Sequence, residues 1–274
     1  MPLNGWRGSK QPSLGQGGHV ELAVVMRTDT GVVRQRNEDA VGADPDAGIV
    51  ILADGMGGAN AGDVASNLAV NLLLNRLLDT PGVASGPVDC DQLRLTVQEV
   101  NSAIYSAAQE MPECKGMGTT LVLGMFRGND LIYGHVGDSR LYRLRGGELE
   151  MLTRDHSLVE ELVAQEVFSS TEEARRSGVP GSVLSRAYGI FPYVEVDLEK
   201  TRLETGDLYL LCTDGLNGML SSNEIHEYLM AGDEDLEQTA DQLIEAACEK
   251  GGMDNVSVIL VRVWDDKEAE LLQQ

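Results

Sequence analysis

The stretch Gly48-Ile49-Val50-Ile51-Leu52-Ala53, followed at once by Asp54-Gly55-Met56-Gly57-Gly58, decides the fold. An apolar run of this length and β-favouring character reads as a strand. The acid and the glycines end it in a turn and set a carboxylate at the rim of a sheet. Beyond the turn, over 62–78, Val64, Leu68, Leu72 and Leu73 recur on one face, with Ala65 and Ala69 small enough for close packing, which predicts a helix. A glycine-rich turn before a helix can also bind an anion. A nucleotide loop, however, would end in Gly-Lys-Ser/Thr, and Gly62-Asp63-Val64 offers an acid instead. The carboxylate reading is therefore preferred.

The same device recurs along the chain. Glu38 and Asp39, Asp138 in Gly137-Asp138-Ser139-Arg140, Asp214 in Thr213-Asp214-Gly215 and Asp254 in Asp254-Asn255 all sit where a predicted strand meets a turn or loop. Several such rims converging would make an all-oxygen pocket for hard divalent cations. Carboxylates so close would repel one another unless cations neutralised them, which points to Mg²⁺ or Mn²⁺.

Working outward, further strands are expected at 21–27, 119–126, 130–136, 140–144, 194–198, 207–212 and 256–263, several parted by turn residues such as Gly128-Asn129 and Gly146-Gly147. Helices are expected at about 91–110, at about 155–166 with Asp155 or Ser157 as N-cap, and at about 234–249. Helices arriving in pairs between groups of strands imply an α+β protein with two antiparallel sheets packed face to face and helical pairs outside. One domain over 20–264 is expected, after a Gly-rich flexible leader at 1–19 and before an acidic tail at 265–274.

With 44 acidic residues against 21 basic ones, the net charge of −23 argues against nucleic-acid binding and favours basic substrate segments. The four cysteines, Cys90, Cys114, Cys212 and Cys248, form no Cys-x-x-Cys pair, which disfavours a zinc or redox motif. No apolar stretch approaches the ~20 residues of a membrane span, and the start lacks a secretion signal. A cytoplasmic monomer is expected, without membrane insertion.

The segments Thr28-Asp29-Thr30-Gly31-Val32-Val33-Arg34-Gln35-Arg36-Asn37-Glu38-Asp39, Ala53-Asp54-Gly55-Met56-Gly57-Gly58, Gly116-Met117-Gly118-Thr119-Thr120, His135-Val136-Gly137-Asp138-Ser139-Arg140, Thr213-Asp214-Gly215-Leu216 and Gly252-Met253-Asp254-Asn255 follow one another in a telling order. Over about 21–263 the chain resembles the metal-dependent protein phosphatases, the PPM or type-2C family, in their compact bacterial form. The resemblance implies an αββα sandwich with a binuclear Mn²⁺ or Mg²⁺ centre at one end of the sheets. It implies that Asp54 bridges two ions and that the Gly55 carbonyl helps hold the first. Asp39, Asp214 and Asp254 would hold the second, with Glu38 acting through water and Asn255 supporting. Asp138 and Asp214 would bind a weaker third ion.

Two adjacent cations supply what phosphate-monoester hydrolysis needs, a water of lowered pKa and neutralisation of the phosphoryl charge. Asp39 and Asp54 are thereby catalytic, together with Arg34, whose forked guanidinium suits a phosphate and whose position matches the family's arginine. Arg36 and Arg140 compete with it on sequence alone; the resemblance makes Arg140 structural, paired with nearby carboxylates. Some relatives carry a histidine just after the Asp-Gly pair or the Gly-Gly. This chain has Met56 and Ala59 there, and Asn60 is no acid, so a metal-bound water is expected to protonate the leaving group. His135 and His156 read as structural residues. The threonines of Gly116-Met117-Gly118-Thr119-Thr120 read as β-formers at a tight strand entry.

The expected activity is serine/threonine protein phosphatase, acting on phosphorylated proteins and opposing a Ser/Thr kinase and its targets. A weakly catalytic regulatory module of the same fold and a phosphatase of small metabolites are the alternatives. The segment 165–192 matches the place of a substrate-selecting flap and, with Ser169-Ser170, Gly178, Pro180-Gly181 and Ser182, is expected to bury few groups.

Overall fold

The computed structural model describes residues 21–57, 61–80, 89–232 and 235–264. The expected leader and tail, and Gly58, Ala59 and Asn60, lie outside them. In chain order the elements are β1 (Glu21–Asp29), β2 (Asp39–Asp44), β3 (Ile49–Met56), α1 (Gly62–Asp79), α2 (Cys90–Glu110), a 3₁₀ turn (Pro112–Cys114), β4 (Gly118–Thr119), β5 (Leu121–Arg127), β6 (Asp130–Val136), β7 (Arg140–Arg145), β8 (Glu148–Met151), α3 (Leu158–Ala164), α4 (Thr171–Arg176), β9 (Asp197–Arg202), β10 (Leu208–Cys212), α5 (Asp214–Asn217), α6 (Ser222–Ala231), α7 (Leu236–Glu249) and β11 (Val256–Trp264).

The strands form two antiparallel sheets, β1-β11-β10-β7-β8 and β2-β3-β5-β6-β9, with β4 added to β3. Alternation along the strands explains the stacking. In β3, Ile49, Ile51 and Ala53 pack against α1 and α2, while Val50 and Leu52 meet the facing sheet. In β11, Val256, Val258 and Leu260 face α5 to α7, and Ile259, Val261 and Val263 fill the space between sheets. Because both faces are covered, these strands read as continuous apolar runs. Each large side chain so buried is worth about 1.5–3 kcal/mol, so the three apolar layers set the order α, β, β, α.

Several expectations shift. The run at 194–198 gives a strand at Asp197–Arg202, because Val194 and Val196 pack on the α1/α2 layer before the strand begins. The helix expected at 155–166 is shorter, starting after Ser157, which caps the Glu160 N–H; Asp155 is instead taken by Arg140. Strands β2 and β8 and helices α4, α5 and α6 were not expected. The segment 165–192 buries more than its composition suggests, since Ala174 and Tyr188 are fully buried and Tyr188 Oη donates to the Val97 carbonyl at 2.5 Å. Arg140 forms the expected bidentate pair with Asp155, at 2.8 and 2.7 Å. Cys212 is fully buried, and no cysteine is in a disulfide. No helix among the described residues is long and apolar enough to cross a membrane.

Candidate metal centre

Asp39 opens β2 and Asp54 nears the end of β3, and antiparallel pairing sets them directly opposite each other. Asp138 lies in the β6–β7 turn, Asp214 starts α5, and Asp254 precedes β11. Both sheets thus deliver carboxylates to one rim. Burial is the first cause that lifts Asp54 well above the carboxylate range, and the charges of Asp39, Asp214, Asp138 and Asp254 add to it. Burial likewise pushes Asp39 up to about 7 against hydrogen bonds from Ser257 and Thr213, with Asp214 and Asp254 adding. Asp138 rises to about 7, again through burial and then Asp214. Asp214 is raised by burial and Asp254, with Asp54 within hydrogen-bonding reach. Burial and mutual charge thus act together on Asp39, Asp54, Asp138 and Asp214, and the partly exposed Asp254 adds its charge from the edge.

Each is positioned by neighbours. Thr213 Oγ1 and Ser257 Oγ both donate to Asp39 Oδ2, at 2.9 and 2.6 Å. The Asp54 N–H donates to Thr120 Oγ1 at 2.9 Å, and its carbonyl accepts from Thr119 Oγ1 and the Thr120 N–H at 2.8 Å each. Thr120 and Ser139 share a hydroxyl hydrogen bond of 2.7 Å, linking Asp54 to the Asp138 turn. The threonines read as β-formers are therefore supports of the site, a role no neighbouring residue in the sequence signals, since Asp54 and Ser139 lie 66 and 19 residues from Thr120. Asn255 Oδ1 accepts the Glu38 N–H at 2.8 Å, and its Nδ2 clamps the Thr30 and Arg36 carbonyls at 2.9 and 2.8 Å.

Gly55 needs its missing side chain. A Cβ there would lie 2.1 Å from the Gly62 carbonyl oxygen and 2.5 Å from that of Glu38. The Gly55 N–H donates to the Glu38 carbonyl at 3.1 Å, which also accepts from Ser66 Oγ at 2.6 Å. Glu38 is thus tied between the rim and the start of α1.

Arg34 Nη2 donates to Asp254 Oδ2 at 2.7 Å, and the side chain is 49% exposed at the mouth of the pocket. Its charge is reinforced by Asp254 first, then by Glu38 and Asp54. Arg140 lies deeper. Burial pulls its pKa down, and the pairing with Asp155 and Tyr142 more than reverses this.

The rim fits a cation by its own bonding. Asp39 Oδ1 and Asp214 Oδ1 are buried without a hydrogen-bond partner. A buried carboxylate oxygen left so costs about 1–3 kcal/mol or more, which a divalent ion would remove. A second group, His135, His156 and Asp197, also offers ligand atoms within 4.8 Å of one another and could hold a metal ion. There Asp197 already accepts from Arg186 at 2.7 Å. A groove between α1 and α2, lined by Arg76, Asp79, Gln92 and Glu99, lies away from the carboxylates.

The sequence model of the family described as Protein phosphatase 2C matches residues 32–255. The chain is 40% identical over 239 residues to the serine/threonine phosphatase stp of Listeria monocytogenes, covering 86% of this chain and 94% of that one. Its fold is similar to the serine/threonine phosphatase PstP/Ppp of Mycobacterium tuberculosis, with a TM-score of 0.81 and 39% identity over 90% of this chain and all of that one. It is also similar to the PstP catalytic domain in complex with two manganese ions, with a TM-score of 0.79, 39% identity and coverage of 90% and 100%.

Proposed function

The chain belongs to the protein phosphatase 2C family and is a serine/threonine protein phosphatase, and from that premise we propose that its acidic rim is the metal centre performing the hydrolysis. The observation that carries this reading is the convergence of five aspartates with two buried, unpartnered Oδ1 atoms. Asp54 and the Gly55 carbonyl would hold one Mn²⁺ or Mg²⁺, and Asp54 with Asp39, Asp214 and Asp254 a second. Asp138 with Asp214 would hold a weaker third. Held there, the cations supply a water of lowered pKa and offset the charge of the phosphoryl group.

The chain's own groups do the rest. Thr213 and Ser257 occupy Asp39 Oδ2 and turn its other oxygen to the pocket. Thr119 and Thr120 fix the Asp54 backbone and so hold in place the end of β3 from which its carboxylate would reach the cations. Arg34, exposed and charged, meets the incoming phosphate and anchors it beside Asp254. The substrates are phosphorylated proteins. Because phosphoserine and phosphothreonine arise by kinase action, a Ser/Thr kinase and its targets are the proposed partners.

The direct test is phosphate release from a phosphothreonine peptide with Mn²⁺ and in excess chelator, with metal content verified. Turnover is expected only with metal; full turnover without it would end this mechanism. Arg34→Ala is expected to raise KM roughly ten- to hundredfold, the worth of one charge-assisted hydrogen bond, with a smaller change in kcat. A fall in kcat at constant KM would assign Arg34 to the transition state instead, and unchanged kcat/KM would remove it from the site.

A further inference from the structure

His156 has all four of its polar positions committed. Its main-chain N–H donates to the Gly137 carbonyl at 2.8 Å, and its Nδ1 accepts the Gly137 N–H at 3.2 Å. On the other side, its carbonyl accepts the Ser185 N–H at 2.9 Å. Its Nε2 lies 3.3 Å from Asp197 Oδ2 and 3.2 Å from Arg186 Nη1, and Arg186 Nη1 also donates to Asp197 Oδ1 at 2.7 Å. Two of the four contacts reach the turn that carries Asp138; the other two reach the end of the 165–192 segment and β9.

The ring chemistry makes these contacts interdependent. Accepting from Gly137 leaves Nδ1 with the lone pair, so the neutral ring carries its proton on Nε2 and donates it towards Asp197; Arg186, itself only a donor, is tied to the ring through the Asp197 carboxylate whose two oxygens they share. A ring drawn to Asp197 is thereby held in the plane that receives the Gly137 N–H. His135 stacks on it at 4.5 Å and is itself anchored, Nε2 donating to the Arg154 carbonyl at 2.7 Å. Gly137, at φ +102°, has little slack, for even a Cβ would lie 2.7 Å from Thr120 Cγ2. Asp138 is thus flanked by Gly137, held by His156, and by Ser139, held by Thr120.

We propose that His156 is a positioning residue that couples the seating of Arg186, in the 165–192 segment, to the aim of the Asp138 carboxylate and so to the affinity of the outermost cation. This rests on the reading of Asp138 as a metal ligand. A phosphoprotein pressing on the 165–192 segment would then be felt at the metal centre through four named contacts, without any residue of the segment entering the pocket.

The test uses the full chain with His156→Ala, His156→Asn, Arg186→Gln and the double variant of the last two. Asparagine sets an acceptor near the place of Nδ1 but has no arm to reach Asp197. Two readouts serve, Mn²⁺ titration calorimetry and hydrogen exchange at the Gly137 amide. Arg186→Gln and His156→Ala are expected to weaken the weakest Mn²⁺ about tenfold and to speed Gly137 exchange, leaving the two tight ions unchanged. In the His156→Asn background, Arg186→Gln should have no further effect on either readout. The coupling is overturned if Arg186→Gln loosens 165–192 while Gly137 exchange and the weak ion stay as in wild type, or if its effect persists in the His156→Asn background. Should His156→Ala not fold, the other three variants decide the same question. Wild type binding only two ions would overturn the metal clause and the assignment of Asp138 together, whereas the exchange pattern at Gly137 would still report the coupling.

Discussion

Asp54→Asn is expected to lose roughly a thousandfold or more in kcat/KM, since cation stabilisation worth several kcal/mol is removed and each 1.36 kcal/mol is tenfold. Asparagine keeps the shape and the backbone bonds to Thr119 and Thr120 but removes the charge of a carboxylate that feels all four other aspartates. Asp254→Asn should be similarly damaging, because Asp254 serves both the rim and Arg34. Asp138→Asn should behave differently, keeping the two tight ions and losing turnover through the third. Steady-state kinetics on a phosphothreonine peptide, paired with metal content after gel filtration, separates the two classes. Full activity in Asp54→Asn, or loss of both tight ions in Asp138→Asn, would break the assignment.

Mn²⁺ is expected to raise the melting temperature by roughly 5–11 °C at one hundred times Kd, from about 2.7 kcal/mol of linkage and about 2–4 °C per kcal/mol for a domain of this size. The rise should grow with pH, and the sign follows from the carboxylates. Asp39 and Asp138, pushed up to about 7, and Asp54 and Asp214, also raised, hold protons in the fold that the unfolded chain has released. Their contribution in the metal-free protein is fully present below the ordinary carboxylate pKa near 4 and is lost as pH rises through about 7. Cations compete with those protons, so the metal-loaded protein should not show this loss. Melting at pH 5 to 8, with and without Mn²⁺, checks the divergence, and Na⁺ at matched ionic strength controls for screening of the surface charge. Asp54→Asn should flatten the Mn²⁺ response while leaving almost all the surface charge in place. Identical Mn²⁺ responses in wild type and Asp54→Asn would show that the rim is not a metal centre.

The elements that were legible are those whose pattern is also their packing. β3, β5, β10 and β11 are apolar on both faces because helices cover one side and a sheet the other. Helices α1, α2 and α7 are long enough for their periodicity to show. β2 and β8 were not legible, being edge strands in which Gly42, Asp44, Glu148 and Glu150 dilute the apolar signal. α6 did leave a local mark, the reciprocal capping box of Ser221 and Glu224, and Ser170 caps α4 by accepting the Glu173 N–H, while the Glu173 carboxylate turns back to Ser169. Those two helices could have been found from their starts rather than their faces.

The sequence by itself determined which acids form the rim, because Asp39, Asp54, Asp138, Asp214 and Asp254 each sit beside turn chemistry at an element boundary, a local pattern that survives without coordinates. It also marked Arg34 and the layered order of sheets and helices. Only the tertiary structure decided which oxygen of Asp39 is taken and which is bare, since its partners Thr213 and Ser257 are 174 and 218 residues away. It likewise made Thr120 a bridge between two acidic turns, and His156 a link from Gly137 to Asp197, which Arg186 shares. Hydrogen bonds across such separations leave no periodicity in the chain, because either partner is an ordinary polar residue until folding removes water and brings the other within 3 Å or so.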